Sequence, residues 1–590
     1  MLPLFSRKTW PKIAVYDIET TDWVHVEMIC HVDEYGARES FLSIPEYIEF
    51  LAERFEGDHV WAHFGGRFDF RFLLPELTRQ GHRWRGVWSG SSLIAFTTVL
   101  HGREITFLDS FRLMPSSAKA IGKTIGLEKL DVDRTDMGSL SREEMERYCF
   151  RDCDVIVKGL QFLRDTLDDV GCDFAYTLAS IASRYVRRSD VVDWGRLCRF
   201  DRRSKRWDYE AKNKLAEEFC EPAYFGGRTE VFRRGMFPGH LYYYDVRSSY
   251  PWSMTRPLPL YFRDFEPASR APVHVQLRTM GISRARVHVP HDTYLPVLPV
   301  FHGERLTFPT GDFEGTWTNI ELLEAAKHGA KIELVVTARF KAAAFLEPFV
   351  RSFFEMRKKA IDEGDAFRSY ALKILMNSLY GKLIETERKE ALIFGAEEYR
   401  EAIKRHGRDA VFPTEVPGVF SVRSFAEGKF RHCAAGAYVT AYSRVLLHRK
   451  LCEARDKGGE VYYCDTDSII CDVPLAEDPA LGGLNLEHEF EWGEFLAPKV
   501  YRGKILGCED VIYRVKGIPV GGYDPGEAES RWDRYTSGDS VEKDGISGLK
   551  TDLRNGTLEP SALVLKRAMR RPDKKRIHRG VDSRPFALDR

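Results

Sequence analysis

The chain has 590 residues, 43% of them hydrophobic, enough to close real cores and, by length, enough for three to four structural units. Lys and Arg together number 88 and so do Asp and Glu, with a pI of about 7.3, so any polyanion partner must be met by local rather than total charge. No apolar run reaches membrane-spanning length, no C-x-x-C pair occurs among the 11 cysteines, and no G-x-x-x-x-G-K loop is present. These absences argue against a membrane span, a disulfide framework and a phosphate-loop motor.

In chain order, strand residues begin by Lys12, which leaves no room for a secretory leader and suggests an intracellular chain with reduced thiols. Val15-Tyr16-Asp17-Ile18-Glu19-Thr20 reads as a strand that points Asp17 and Glu19 to one face. Trp61 to Asp69 reads as a strand-to-helix turn loosened by Gly65 and Gly66. Tyr148 and Asp152 stand at i and i+4 on a helical stretch, so they share a face. Asp17, Glu19, Asp69 and Asp152 with Tyr148 are the parts of a two-metal site for phosphodiester hydrolysis, Tyr148 orienting the attacking water.

Further on, Tyr224-Phe225-Gly226-Gly227-Arg228 carries two adjacent glycines that permit close backbone approach. Tyr242-Tyr243-Tyr244-Asp245 reads as a strand ending in a carboxylate, followed by Tyr250-Pro251. A buried aromatic strand with a surface Asp is the plain alternative. Residues 262–345 contain their own strand and turn signals. Helical periodicity runs from Phe345 to Tyr380 and sets Lys373, Asn377 and Tyr380 on one face, with Gly381 turning the chain away. A second intervening segment covers 388–428. Tyr463-Cys464-Asp465-Thr466-Asp467-Ser468 lies between apolar β-branched runs and reads as a β-hairpin with an acidic tip. Crowded carboxylates raise one another's pKa unless cations neutralise them, and such a turn suits Mg²⁺ with substrate phosphates. An ordinary acidic turn is the alternative for this segment taken alone. Lys499-Val500-Tyr501 follows, and Lys566 to Arg579 is a strongly basic stretch that reads equally as a DNA contact or a disordered tail.

Three of these segments, in order, resemble the D-x-x-S-L-Y-P, K-x-x-x-N-S-x-Y-G and Y-x-D-T-D-S motifs of family B DNA polymerases, the first departing at Ser249. The N-terminal carboxylates resemble the three motifs of a proofreading exonuclease of the DEDD type with a tyrosine. There the second motif carries an Asn four or five residues before its Asp; here Gly65 and Phe64 hold those positions, with His63 one step further out. Tyr224-Phe225-Gly226-Gly227 and the two intervening segments resemble the protein-primed branch, found in linear-genome phages, viruses and plasmids.

The resemblance implies an α+β chain. A 3′–5′ exonuclease domain would occupy 1–185. The palm would be built from 186–261 and 429–530 and the fingers from 346–387. Insertions at 262–345 and 388–428 would correspond to the two terminal protein regions, and a thumb with the basic tail to 531–590. It implies template-directed, processive, strand-displacing synthesis with proofreading. Asp245 and Asp467 would hold two Mg²⁺ (or Mn²⁺) ions, supported by Asp465, and Asp17, Glu19, Asp69 and Asp152 two more. Lys373 would stabilise the leaving triphosphate, and Tyr250, Asn377 and Tyr380 would contact the nucleotide, Tyr250 excluding a 2′-hydroxyl. Lys499 and Tyr501 would steady the primer terminus, while Tyr224, Gly226, Gly227, Thr20 and Phe68 would contact DNA. The implied partners are template and primer DNA, deoxynucleoside triphosphates and a terminal priming protein. A monomer with no membrane contact, in the cytoplasm of a host cell, is expected. The alternatives are a family B polymerase that starts from an ordinary primer or none, a nuclease with an inactive polymerase half, and a non-catalytic replication scaffold.

Overall fold

The computed structural model describes the chain except for residues 1–8, 90–91, 131–139, 189–198, 202–205, 209–210, 415, 428–430, 517–523, 570–574 and 589–590. Contacts divide it into two compact units, each assembled from three stretches. The first comprises 1–189, 352–430 and 544–565. The second comprises 190–351, 431–543 and 566–590.

The first unit is built on a seven-stranded mixed sheet, ordered Arg38–Phe41, His25–Asp33, Ala14–Thr21, His59–Ala62, Arg103–Asp109, Ser92–Leu100, Trp84–Ser89. Ala14–Thr21 pairs antiparallel with His25–Asp33 and parallel with His59–Ala62. Its alternation is functional: Tyr16 and Ile18 enter the core while Asp17 and Glu19 take the other face. A register shift directly after Glu19 marks a bulge, a device that re-aims side chains next to sites. Against His25–Asp33 and Ala14–Thr21 packs Arg142–Asp169, a 28-residue helix started by a Ser141/Glu144 capping box.

The expected continuous helix from Phe345 to Tyr380 is instead two, Glu347–Asp362 and Ala366–Ser378. Gly364 adopts φ of 73° between them, and Asp365 starts the second by accepting from the Arg368 amide. That helix packs on Leu178–Arg188, Arg142–Asp169 and Ala118–Ile125, and Arg368 pairs with Asp169 at 2.9 Å. Tyr380 opens a 3-10 turn, Tyr380–Ile384, that contains Gly381, so it lies just past the helix rather than on it. Thr386–Phe394, Val411–Pro413 and Val419–Glu427 form a three-stranded sheet covered by the helix Gly395–His406. From the third stretch, Leu549, Leu553 and Leu558 join the core of the large sheet. Asp552 there forms a fully buried ion pair with Arg71 and accepts from Ser547 Oγ at 2.8 Å.

The second unit holds a seven-stranded antiparallel sheet, ordered Thr229–Val231, Val461–Asp465, Ser468–Cys471, Gly235–Val246, Leu484–Ala497, Val500–Ile505, Val511–Val515. The buried helix Cys433–Asp456 packs on it. Residues 258–343 contribute a second sheet of Leu258–Pro267, Lys331–Ala343, Gly281–Val289 and Thr310–Thr318, closed by a parallel partner, Ala587–Leu588.

The basic stretch is tied to the fold where it is described, with Lys566, Arg567 and Arg579 exposed. Lys566 pairs with Glu542, and Lys575 Nζ donates to the Thr229 carbonyl at 2.9 Å. Arg576 is buried, 3.7 Å from Glu230, which also pairs with buried Arg228 at 2.6 Å. Arg576 Nε donates to Ser583 Oγ across the hairpin Arg576–Arg579/Asp582–Pro585. Residues 570–574 of the stretch lie outside the described residues. Among the described residues, no helix is long and apolar enough to cross a membrane.

Candidate polymerase and exonuclease sites

The acidic hairpin of the second unit forms as its sequence suggests. Val461–Asp465 and Ser468–Cys471 pair with Asp465 opposite Ser468, leaving Thr466-Asp467 as the two-residue tip. Thr466 takes φ of 63°, and the Asp467 amide donates to the Asp465 carbonyl at 2.7 Å. Asp245 ends the neighbouring strand in register with Ser468, and the Val246 amide donates to the Asp467 carbonyl at 2.8 Å. Two carboxylates from separate motifs therefore stand at adjacent strand ends of one rigid sheet.

Asp465 has a different task. Lys499 Nζ donates to its two oxygens at 3.0 and 2.7 Å, and Thr229 Oγ1 at 2.9 Å. Lys499 itself holds φ of 63°, its amide donating to the Tyr463 hydroxyl at 2.9 Å. Tyr501 is 5% exposed, packed against Tyr463 and Phe495. Its ring braces the start of the strand Val500–Ile505, directly after Lys499.

A Cβ at Gly227 would lie 2.7 Å from the Thr466 side chain, so the glycine makes room for the acidic tip. The Arg228 carbonyl accepts from the Thr466 amide at 2.6 Å. Gly226 is open, with nothing within 4 Å of such a Cβ, and Tyr224 is half-buried just before it. Tyr250 stands, half-buried, on the short helix Ser249–Met254.

The first unit assembles the other carboxylates. Ligand atoms of Asp17, Glu19 and Cys149 lie within 4.8 Å of one another. Asp69 is 1% exposed and accepts from the Ile18 amide at 3.3 Å. Burial, then the adjacent Asp17 charge, push the Glu19 and Asp69 carboxyls well above the usual range. Four acids converging without an equal number of bases would suit a cation by charge. Cys149 is an unsuitable ligand, since burial raises its thiol and its Sγ faces the Asp17 carbonyl at 3.5 Å. Oxygen donors of this kind fit hard divalent cations.

A matching family profile, "DNA polymerase type B, organellar and viral", covers residues 133–412. The chain is 25% identical over 519 residues to the DNA-directed DNA polymerase of Enterobacteria phage PRD1, 82% of each chain being covered. The chain is thus similar to family B DNA polymerases. A "Probable DNA polymerase" of Neurospora intermedia is 28% identical over 319 residues, 50% of this chain but only 31% of that longer relative. The fold matches phi29 DNA polymerase complexed with primer-template DNA and incoming nucleotides, with a TM-score of 0.70 and 17% identity over 95% of this chain and 100% of that one. Family B polymerases use divalent metal ions, in keeping with both carboxylate sets.

The remaining motif residues of this polymerase sit in the first unit. Lys373 is exposed and Asn377 half-buried on Ala366–Ser378, with half-buried Tyr380 beyond its end. Thr20 lies just past the bulge, and Phe68 immediately precedes Asp69. His63 does not stand in for the missing Asn. Its Nδ1 meets Ser110 Oγ at 2.9 Å and its Nε2 the Ser116 carbonyl at 2.7 Å, and burial lowers its pKa to about 4. Phe64 projects from φ of 65° and stacks on Phe111 at 4.0 Å.

Sequence reasoning missed Lys129. It forms an ion pair with Asp152 and lies 4.6 Å from the centroid of the Tyr148 ring, placing a cation inside the carboxylate set. Tyr148 is 2% exposed with its hydroxyl pKa raised, first by burial and then by Asp152. No periodicity ties a lysine in a loop to a helix 23 residues later, so only the fold reveals it.

Proposed function

We propose that this polymerase adds deoxynucleotides to a DNA 3′ end at Asp245 and Asp467 and removes them by 3′–5′ hydrolysis at Asp17, Glu19, Asp69 and Asp152. The register that sets Asp245 beside the acidic hairpin carries the synthetic reading. When bound, two Mg²⁺ ions per site, replaceable by Mn²⁺, would draw charge from the attacking and leaving oxygens. Asp465 holds Lys499 toward the primer end. Tyr250, stiffened by Pro251, walls off a 2′-hydroxyl, and Lys373, Asn377 and Tyr380 take the triphosphate and nucleotide roles that their motif implies. At the hydrolytic site, Lys129 fixes Asp152 and Tyr148 so that the phenol can orient water.

Initiation from a terminal priming protein is the favoured start, supported by Tyr224-Phe225-Gly226-Gly227 and by folded segments at both expected insertions. The 262–345 segment docks the priming protein. The 388–428 segment closes on template and gives processive strand displacement. Activity in the cytoplasm of a phage-, virus- or plasmid-bearing host follows from that reading.

The test is reciprocal. Asp467→Ala should abolish primer extension and spare 3′ degradation, and Asp17→Ala with Glu19→Ala should do the reverse. Loss of both activities in either folded variant overturns the division of labour. A protein–nucleotide adduct that requires Asp467 supports protein priming, whereas efficient initiation on bare template without a protein partner refutes it.

A further inference from the structure

The turn after the Asp17–Glu19 strand has been given no task by the carboxylate chemistry. Asp22 and Trp23 both lie in the left-handed region, with φ of 46° and 71°, where a bulky side chain is a genuine outlier. Local hydrogen bonds enforce it. Asp22 Oδ1 accepts from the Val24 and His25 amides at 3.4 and 3.3 Å, and its carboxylate meets His25 Nδ1 at 2.8 Å. Trp23 is thereby fixed in place by its own turn rather than by burial, and remains 42% exposed.

The indole has one aromatic neighbour of consequence. It meets Phe68 edge-on, with centroids 6.3 Å apart and planes at 85°. Phe68 is braced in turn by Phe72 at 5.1 Å. Trp23 follows Glu19 by four residues and Phe68 precedes Asp69 by one. The aromatic corner is therefore joined by short backbone to two of the segments that present carboxylates. Exposed Arg67 stands next to Phe68 in the chain. A rigid, exposed indole suits a single strand: every base has a π-face, so stacking holds it without reading sequence. A site that trims any 3′ end needs that indifference.

We propose that Trp23, braced by Phe68, is the platform on which an unpaired base stacks beside the hydrolytic site. The proposal rests on reading Asp17, Glu19, Asp69 and Asp152 as that site.

The experiment compares full-length Trp23→Phe and Trp23→Leu with the parent chain. Phe keeps a stackable ring; Leu keeps bulk and loses the π-face. Affinity for a fluorescent oligo-dT, measured by anisotropy without divalent cation, should fall about 5- to 100-fold in the Leu variant and much less in the Phe variant. Melting curves and extension of a paired primer should match the parent in both. KM for degradation of the same oligonucleotide should rise with the Leu change, with kcat nearly unchanged. Equal affinity in the Phe and Leu variants, or parental affinity in both, overturns the platform. A parent that binds oligo-dT through Trp23 yet shows no degradation removable by Asp17→Ala would instead overturn the hydrolytic reading and leave the platform standing.

Discussion

The three aspartates around the acidic hairpin should fail in different ways, and a double-mutant cycle on Asp465 and Lys499 separates them. The pair makes two contacts at 3.0 and 2.7 Å with side chains 20% and 46% exposed. Coulomb attraction at that separation is about 1.4 kcal/mol in water and several times larger at a surface dielectric near 20. Exposure, salt and the lost freedom of a lysine reduce the net coupling to about 1 kcal/mol. Asp465→Asn preserves shape and can still accept from Thr229. It should lower kcat/KM for primer-template about 5-fold, and Lys499→Met should match it. Because each change removes the same interaction, the double variant should be only slightly worse than either single one. Steady-state primer extension, run beside Asp467→Asn as the inactive reference, reads the result. Additive losses would show that the ion pair is incidental. An Asp465→Asn variant as inactive as Asp467→Asn would show that Asp465 binds cation directly.

Four further outcomes follow from the first unit. Glu19 and Asp69, raised by burial and by Asp17, take up protons more readily than free carboxyls, and an incoming cation competes with those protons. The Mg²⁺ concentration needed for 3′ degradation should therefore fall as pH rises, by up to about tenfold per unit for each proton released; a flat dependence refutes it. By the same sign, stability of the metal-free unit due to these raised acids is full below the ordinary carboxylate range and lost as pH climbs through their folded values, and added cation should restore it. Phe64→Asn relieves a φ of 65° that Asn tolerates better and supplies the amide that the motif lacks, so degradation of single strands should quicken; a slower rate would mean that the ring stacked on Phe111 is itself used. Asp552→Ala strands buried Arg71 and should cost about 3–5 kcal/mol of local stability, seen as faster proteolysis of residues 544–565. Parental protease resistance would refute that account.

What the sequence made legible was whatever repeats along one element. Asp17 and Glu19 share a face because a strand alternates, and the Asp-Thr-Asp tip follows from the β-branched runs around it. Tyr148 and Asp152 share a face because a helix repeats. The break at Gly364 was hidden because apolar spacing continues across it, and only the left-handed glycine with its following Asp cap shows where one helix stops. Lys129, the use of Gly227 by Thr466, and the burial of Tyr501 and Arg576 were hidden for another reason. Each depends on which distant segment arrives opposite, and no local period encodes that.

The buried Glu230 with Arg228 and Arg576 also sets an order of events in synthesis. Thr229–Val231, which contains Glu230, pairs directly with the acidic hairpin, Thr229 opposite Asp465. Its carbonyl at Thr229 is held by Lys575, the Phe232 carbonyl by Ser583, and strand Thr310–Thr318 is closed by Ala587–Leu588. A nascent chain on the ribosome therefore carries every polymerase motif long before it can seat the strand beside them. Competence should appear only once residues 575–588 have emerged, so a chain truncated before residue 575 should contain the whole catalytic set and fail to extend a primer.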